Sequence, residues 1–154
     1  MEIGTWKEGR YPMDMPVADF NEDGNLDFIL THYESVNDEL YLGNGHFGFT
    51  RSVLANTAPY YSVGADTADF NNDGHADYVV VPRHEALQLY INLGKGDSTF
   101  TRKTSPAKSS YYWGVAAADF DSDGNVDLLA SRTDFAYWDF IRAKAMALSL
   151  GLRQ

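Results

Sequence analysis

One phrase is written three times at a fixed interval of 50 residues: ADFNEDGNLDFIL from Ala18, ADFNNDGHADYVV from Ala68 and ADFDSDGNVDLLA from Ala118. An internal period of this length calls for stacked copies of one supersecondary unit rather than a single irregular domain. Each copy follows the pattern D-x-[DN]-x-D-G-x-x-D. In the first, Asp19, Asn21 and Asp23 place oxygen donors at alternate positions, Gly24 permits a sharp turn, Asn25 offers its backbone carbonyl and Asp27 closes the set. The second copy supplies Asp69, Asn71, Asp73, the His75 carbonyl and Asp77. The third supplies Asp119, Asp121, Asp123, the Asn125 carbonyl and Asp127.

Alternate side chains converge when such a loop wraps around one ion. A donor set made only of oxygen suits a hard cation, and calcium takes six to eight oxygens at ~2.3–2.6 Å, whereas magnesium demands a stricter octahedron and keeps several waters. Calcium is therefore the expected cofactor, about one ion per loop. Loop three carries one carboxylate more than the others and is expected to bind tightest. An EF-hand opens the same way but needs a bidentate Glu at position twelve. Leu30, Val80 and Ala130 stand there. The β-prone runs that follow Asp27 and Asp77 make the loop a link between strands, not between helices. The plain alternative is a row of acidic Asp-Gly turns holding no ion; three loops in register favour the ion.

Charge agrees with this reading. The chain has 22 acidic and 12 basic residues, a formal net charge of −10. Without metal each loop holds three or four carboxylates in mutual repulsion, so calcium is expected to be structural. The acidic balance argues against a nucleic-acid partner, which requires a basic stripe.

The ADF-x-x-DG-x-x-D phrases, together with Leu40-Tyr41-Leu42-Gly43-Asn44-Gly45-His46-Phe47 and Leu89-Tyr90-Ile91-Asn92-Leu93-Gly94-Lys95-Gly96, resemble the FG-GAP or VCBS repeats of calcium-bearing β-propellers. Such repeats occur in integrin α-subunit heads, bacterial surface proteins and some fungal lectins. The resemblance covers about residues 10 to 135. It implies an all-β fold of four-stranded propeller blades, each with its calcium loop between the first two strands. The whole chain, 1–154, then reads as one partial propeller domain with repeats at about 11–59, 60–110 and 111–141.

Strand signals read from the residues agree. The second unit gives Val63–Phe70, Asp77–Pro82, Leu87–Asn92 and Thr99–Lys103, with Gly94-Lys95-Gly96 as a turn. The first gives Met15–Phe20, Asp27–His32, Glu39–Leu42 and Phe47–Val53. The third unit has Asp127–Arg132 and a third strand within Phe135–Ile141, but no turn and fourth strand follow, so this blade is expected to be incomplete. From Ile141 onward, Ile141, Ala145, Leu148 and Leu152 recur at helical spacing, and a short C-terminal helix is expected over 142–154. That segment is too short to span a bilayer.

Propellers close with about four to eight blades. A three-blade chain is expected to be completed by self-association, first as a homodimer forming a six-bladed ring, with Gly4–Arg10 supplying the missing outer strand of the third blade and hiding an exposed edge. A higher oligomer and a fragment of a longer propeller are the rivals.

No nucleophile elbow, zinc-protease motif, phosphate loop or cysteine is present, so no catalytic residue is assigned and an enzyme is not expected. The four histidines read as solvated turn residues. A rigid propeller suits binding, and the expected job is a ligand-binding module, lectin-like or adhesive, for a carbohydrate or protein. Its candidate residues are Tyr60, Tyr61, Tyr111, Tyr112 and Trp113, aromatic clusters read as lying before the first strands, and Arg83 in the loop after a second strand. Packing between blades is the competing role for the aromatics. The alternative function is a structural unit whose partners are calcium and itself. Met1-Glu2-Ile3-Gly4 begins no basic and apolar leader, and no apolar run suggests a membrane span. Millimolar external calcium would fill weak loops, so an extracellular or cell-surface setting is expected.

Overall fold

The structure is a computed structural model, and it describes residues 11–33, 37–55, 57, 61–83, 88–106, 111–132 and 138–141. Among these residues twelve strands form three antiparallel sheets, one per repeat. The first contains β1 (Tyr11–Asp14), β2 (Val17–Ala18), β3 (Asp27–Tyr33), β4 (Asp38–Gly43) and β5 (Phe49–Leu54). The second runs in order through β6 (Ser62–Ala68), β7 (Asp77–Pro82), β8 (Tyr90–Gly94) and β9 (Phe100–Thr104). The third has β10 (Tyr112–Ala118), β11 (Asp127–Arg132) and β12 (Trp138–Ile141). The all-β reading therefore holds, and the third sheet lacks a fourth strand among the described residues. These residues do not close a ring, and none is helical. The expected tail helix over 142–154 lies outside the described residues, as do Gly4–Arg10 and Tyr60. Ile141, read from spacing as the first residue of the helical face, instead ends β12 and pairs with Leu128. Among the described residues no helix is long and apolar enough to cross a membrane.

The first strand of the first sheet corrects the sequence reading. Met15–Phe20 is not one strand; two short strands, β1 and β2, both pair with β3. Pro16 has no N–H to give the ladder, although its carbonyl still accepts from Ile29 N–H at 3.0 Å. Asp14 fills the break, accepting Met15 N–H at 2.9 Å. A register shift recurs at Pro12/Asp14, Ser62/Gly64 and Tyr112/Gly114, so the bulge belongs to the repeat.

Alternation along the second strands divides the core in two. In β7, Tyr78 and Val80 face the first sheet and join Phe20, Ile29, Leu40 and Leu54. Val79 and Val81 face the third sheet and join Phe70, Ile91, Tyr112 and Leu128. β7 is buried along its whole length because it is covered on both faces. Carboxylates also link successive sheets: Asp14 accepts Ala65 N–H at 2.9 Å, and Asp66 accepts Ala117 N–H at 2.7 Å. His32, read as a solvated turn residue, lies in β3 and is buried.

Candidate metal centres

The three Asp-rich loops occupy the same place in each sheet and fold alike. In the first, Asp19 accepts Asp23 N–H at 3.1 Å and Gly24 N–H at 2.8 Å, while Asp23 accepts Asn25 N–H at 2.8 Å. The second repeats this with Asp69 accepting from Asp73 and Gly74, and Asp73 from His75. The third repeats it with Asp119 accepting from Asp123 and Gly124, and Asp123 from Asn125. Each loop turns through two left-handed residues, Glu22 and Gly24, Asn72 and Gly74, Ser122 and Gly124. The glycine is required there, since φ near +85° is strained for most side chains.

The closing aspartates lie beneath the loops. Asp27, Asp77 and Asp127 are buried. Asp27 accepts Phe20 N–H at 2.9 Å and Gly43 N–H at 2.8 Å; Asp77 accepts Phe70 N–H at 2.8 Å and Gly94 N–H at 2.7 Å. These bonds aim the carboxylate and leave each oxygen a lone pair. They also fix the hairpin, because a Cβ on Gly43 or Gly94 would stand 2.2 Å from the Leu26 or Ala76 carbonyl oxygen. Burial raises the Asp27 carboxyl above the ordinary carboxylate range and pushes Asp77 up to about 7; the neighbouring carboxylates of each loop add to the rise.

The loops differ at their third position. Asn21 donates its amide to Asp23 at 3.0 Å, and Asn71 donates to Asp73 at 2.7 Å, so each amide offsets a neighbouring carboxylate. Loop three has Asp121 there. Carboxylate oxygens of Asp119, Asp121 and Asp127 come within 4.8 Å of one another. Asp123 is turned toward the backbone and amide of Asn125. This donor set is all oxygen, partly buried and short of positive charge, so the residues present fit a hard divalent cation.

Contacts between loops were not legible in the phrase itself. Glu22 pairs with the His75 ring of the next loop, and this contact raises the imidazole's affinity for its proton. Asn72 donates to the Asn125 side chain at 2.8 Å. The shared fourth position of Glu22 and Asn72 is the sequence signal for this linkage.

The candidate ligand-binding residues lie toward the other end of the strands. Tyr112 and Trp113 are within β10, not before it. Tyr112 is fully buried in the core between the second and third sheets and donates its hydroxyl to Asp139 at 2.7 Å. Tyr111 and Trp113 are exposed. The Arg83 guanidinium stacks 4.1 Å from the Trp113 ring centre and 5.6 Å from that of Tyr33. Tyr61 is partly buried, packs at a tilt against the Tyr33 ring at 4.8 Å and accepts Arg83 N–H through its carbonyl. Trp113, Arg83, Tyr33 and Tyr61 thus form one polar-aromatic surface drawn from three successive sheets. Tyr33, read with its neighbours His32 and Glu34 as part of a polar loop after a second strand, is the last residue of β3.

The family model for the FG-GAP-like repeat matches residues 19–80 and again 69–130. Each match runs from the first aspartate of one loop into the second strand of the next repeat. A search among curated proteins finds no match.

Proposed function

The chain belongs to the FG-GAP-like repeat family, and from that premise we propose that it is a calcium-binding propeller-repeat protein. In this reading it works as a ligand-binding module for a carbohydrate or protein and is completed by self-association. The observation that carries the reading is the closing aspartate buried beneath each loop. A buried carboxylate beside further carboxylates is costly unless a cation compensates it. Asp19, Asn21, Asp23 and Asp27 would hold the first ion with the Asn25 carbonyl, and the equivalent residues would hold the second and third. Calcium would supply positive charge and cross-link the loop to the base of its own sheet; the chain's residues supply the oxygens and the rigid frame. In this reading the setting is extracellular or at the cell surface, because millimolar external calcium would fill even weak loops.

The Trp113 and Arg83 surface supports the recognition role. An exposed indole with a guanidinium over one face offers apolar stacking beside hydrogen-bond donors, which suits a sugar ring or a polar peptide. The structural alternative is favoured by the exposed aromatic residues on the third sheet. A glycan array probed with wild type and with Trp113→Ala separates the two. Recognition predicts calcium-dependent binding that Trp113→Ala removes while three calcium ions per chain are retained. Array binding unchanged by Trp113→Ala contradicts this surface as the site, and a blank array favours the structural role.

A further inference from the structure

Phe20 of the first sheet packs edge to face against two rings of the second, 6.3 Å from Tyr78 and 5.7 Å from Phe100, which themselves meet edge to face at 5.0 Å. Three further contacts accompany this packing. Ser98 N–H donates to the Phe20 carbonyl at 3.1 Å, Glu22 meets His75, and Ala76 packs in the same cluster. The next junction repeats what it can: Phe70 is buried in the core with Leu128 and Ile141, and Asn72 meets Asn125.

Both halves of this junction reappear at the two ends of the array. On the third sheet Phe120 takes the place of Phe20 and Phe70 but is 45% exposed, and Phe140 packs edge to face against it at 5.8 Å. On the first sheet Phe28 and Phe49 form the same edge-to-face pair as Tyr78 and Phe100, again at 5.0 Å. No ring from another sheet enters it among the described residues. Beside that pair lies a cleft of about 330 Å3 lined by Asn25, Leu26, Phe47 and Phe49, the counterparts of His75, Ala76, Ser98 and Phe100. In the second sheet the corresponding space holds Phe20 and Glu22. Phe47 shares the left-handed conformation of Ser98, so its N–H is set as the donor that Ser98 supplies.

We infer that these two surfaces bind one another between two copies of this chain, Phe120 of one copy entering the Phe28–Phe49 socket of the other. This rests on the self-completing reading above and gives it a contact surface. Ser122 then faces Asn25 across the new junction, as Asn72 faces Asn125 within the chain, and Phe47 N–H faces the Phe120 carbonyl. The contact joins unlike surfaces, so it forms a ring only if it closes. Two copies give six blades, within the closing range of propellers, and three copies exceed it. In the third sheet Gly114 and Ala116 hold the register positions from which Asp14 and Asp66 send carboxylates to the next sheet, so the closing junction lacks that bridge and is weaker than the internal ones.

Complementation tests this directly. Phe120→Asp spoils one surface and Phe47→Asp the other; both residues are exposed, and Asp tolerates the left-handed backbone at position 47. Sedimentation velocity in calcium is expected to show wild type at twice the chain mass and each variant alone at the chain mass. An equimolar mixture should recover a pair, because one wild-type junction survives between unlike variants. A wild-type monomer, or an assembly that Phe47→Asp leaves intact, overturns the inference. Calcium counted by native mass spectrometry on the same samples keeps the two readings apart: a monomer with three ions per chain refutes the assembly alone, and an assembly without ions refutes the calcium alone.

Discussion

Phe70 and Phe120 hold the same place in successive repeats, yet the first is 5% exposed and the second 45%. Their own sheets do not explain the difference. Each caps the start of an Asp-rich loop, and each donates its N–H to the closing aspartate, Phe70 at 2.8 Å and Phe120 at 3.3 Å. What differs is the neighbour. Phe70 meets the third sheet, and Phe120 meets no following sheet among the described residues. The same contrast separates Ile91 from Phe140, which occupy matching register positions opposite Val79 and Leu129. Ile91 is fully buried and Phe140 is 37% exposed. In an array of this kind stability resides in the junctions between repeats as much as within them, so one residue type can be core at one copy and contact surface at the next.

The largest expected effect separates calcium from chelation. At free calcium 100-fold above the dissociation constant each site adds about 2.7 kcal/mol, so three sites should lower the melting temperature sharply when a chelator is added. Equal melting curves would show the loops to be plain acidic turns. Next comes the comparison itself. Phe70→Ala removes a buried ring and should cost about 3–5 kcal/mol in urea unfolding, whereas Phe120→Ala should change the stability of a single chain by less than about 0.5 kcal/mol. Similar losses at both positions would mean that Phe120 is already covered.

A smaller effect concerns the covered junction between the first and second sheets. Asp38 is buried there, accepts the Tyr78 hydroxyl at 3.1 Å and is pushed up to about 7 by desolvation. Its ionised form is disfavoured in the folded chain, so this contribution to stability is complete below the ordinary carboxylate range and is lost as pH rises through about 7. In chelator, Asp38→Asn should therefore flatten part of the fall in stability between pH 5 and pH 8 and exceed wild type by roughly 1 kcal/mol at the upper end. An unchanged pH slope would count against that burial. The smallest expected effect is in loop three, where Asp121→Asn restores the amide found in loops one and two. Calorimetry should show weaker calcium binding at that loop with little change in folding.

The loops were legible in the sequence because their chemistry is local. Each oxygen donor, the left-handed glycine and the closing aspartate can be placed from nine adjacent residues, and the bounds of β7 and β11 follow from the apolar runs between Asp77 or Asp127 and the next turn. The family match covers this same part of the chain. What could not be read depends on the next sheet. Tyr112 looks like an exposed aromatic beside Trp113, but strand alternation turns it into the core and leaves Trp113 outside. His32 has the composition of a loop residue and is buried because β3 continues through Tyr33. Pro16 splits the first strand, a signal that was present in the sequence and outweighed by the repeat. The Asp14, Asp66 and Glu22 contacts join residues about one repeat apart, where no local pattern can report them.

Native mass spectrometry in calcium tests the central claim most directly, because one spectrum counts ions and chains together. The account predicts two chains carrying six calcium ions, with the ions removed by chelation. A monomer without bound calcium would contradict both the loops as metal centres and the joining of the two open surfaces.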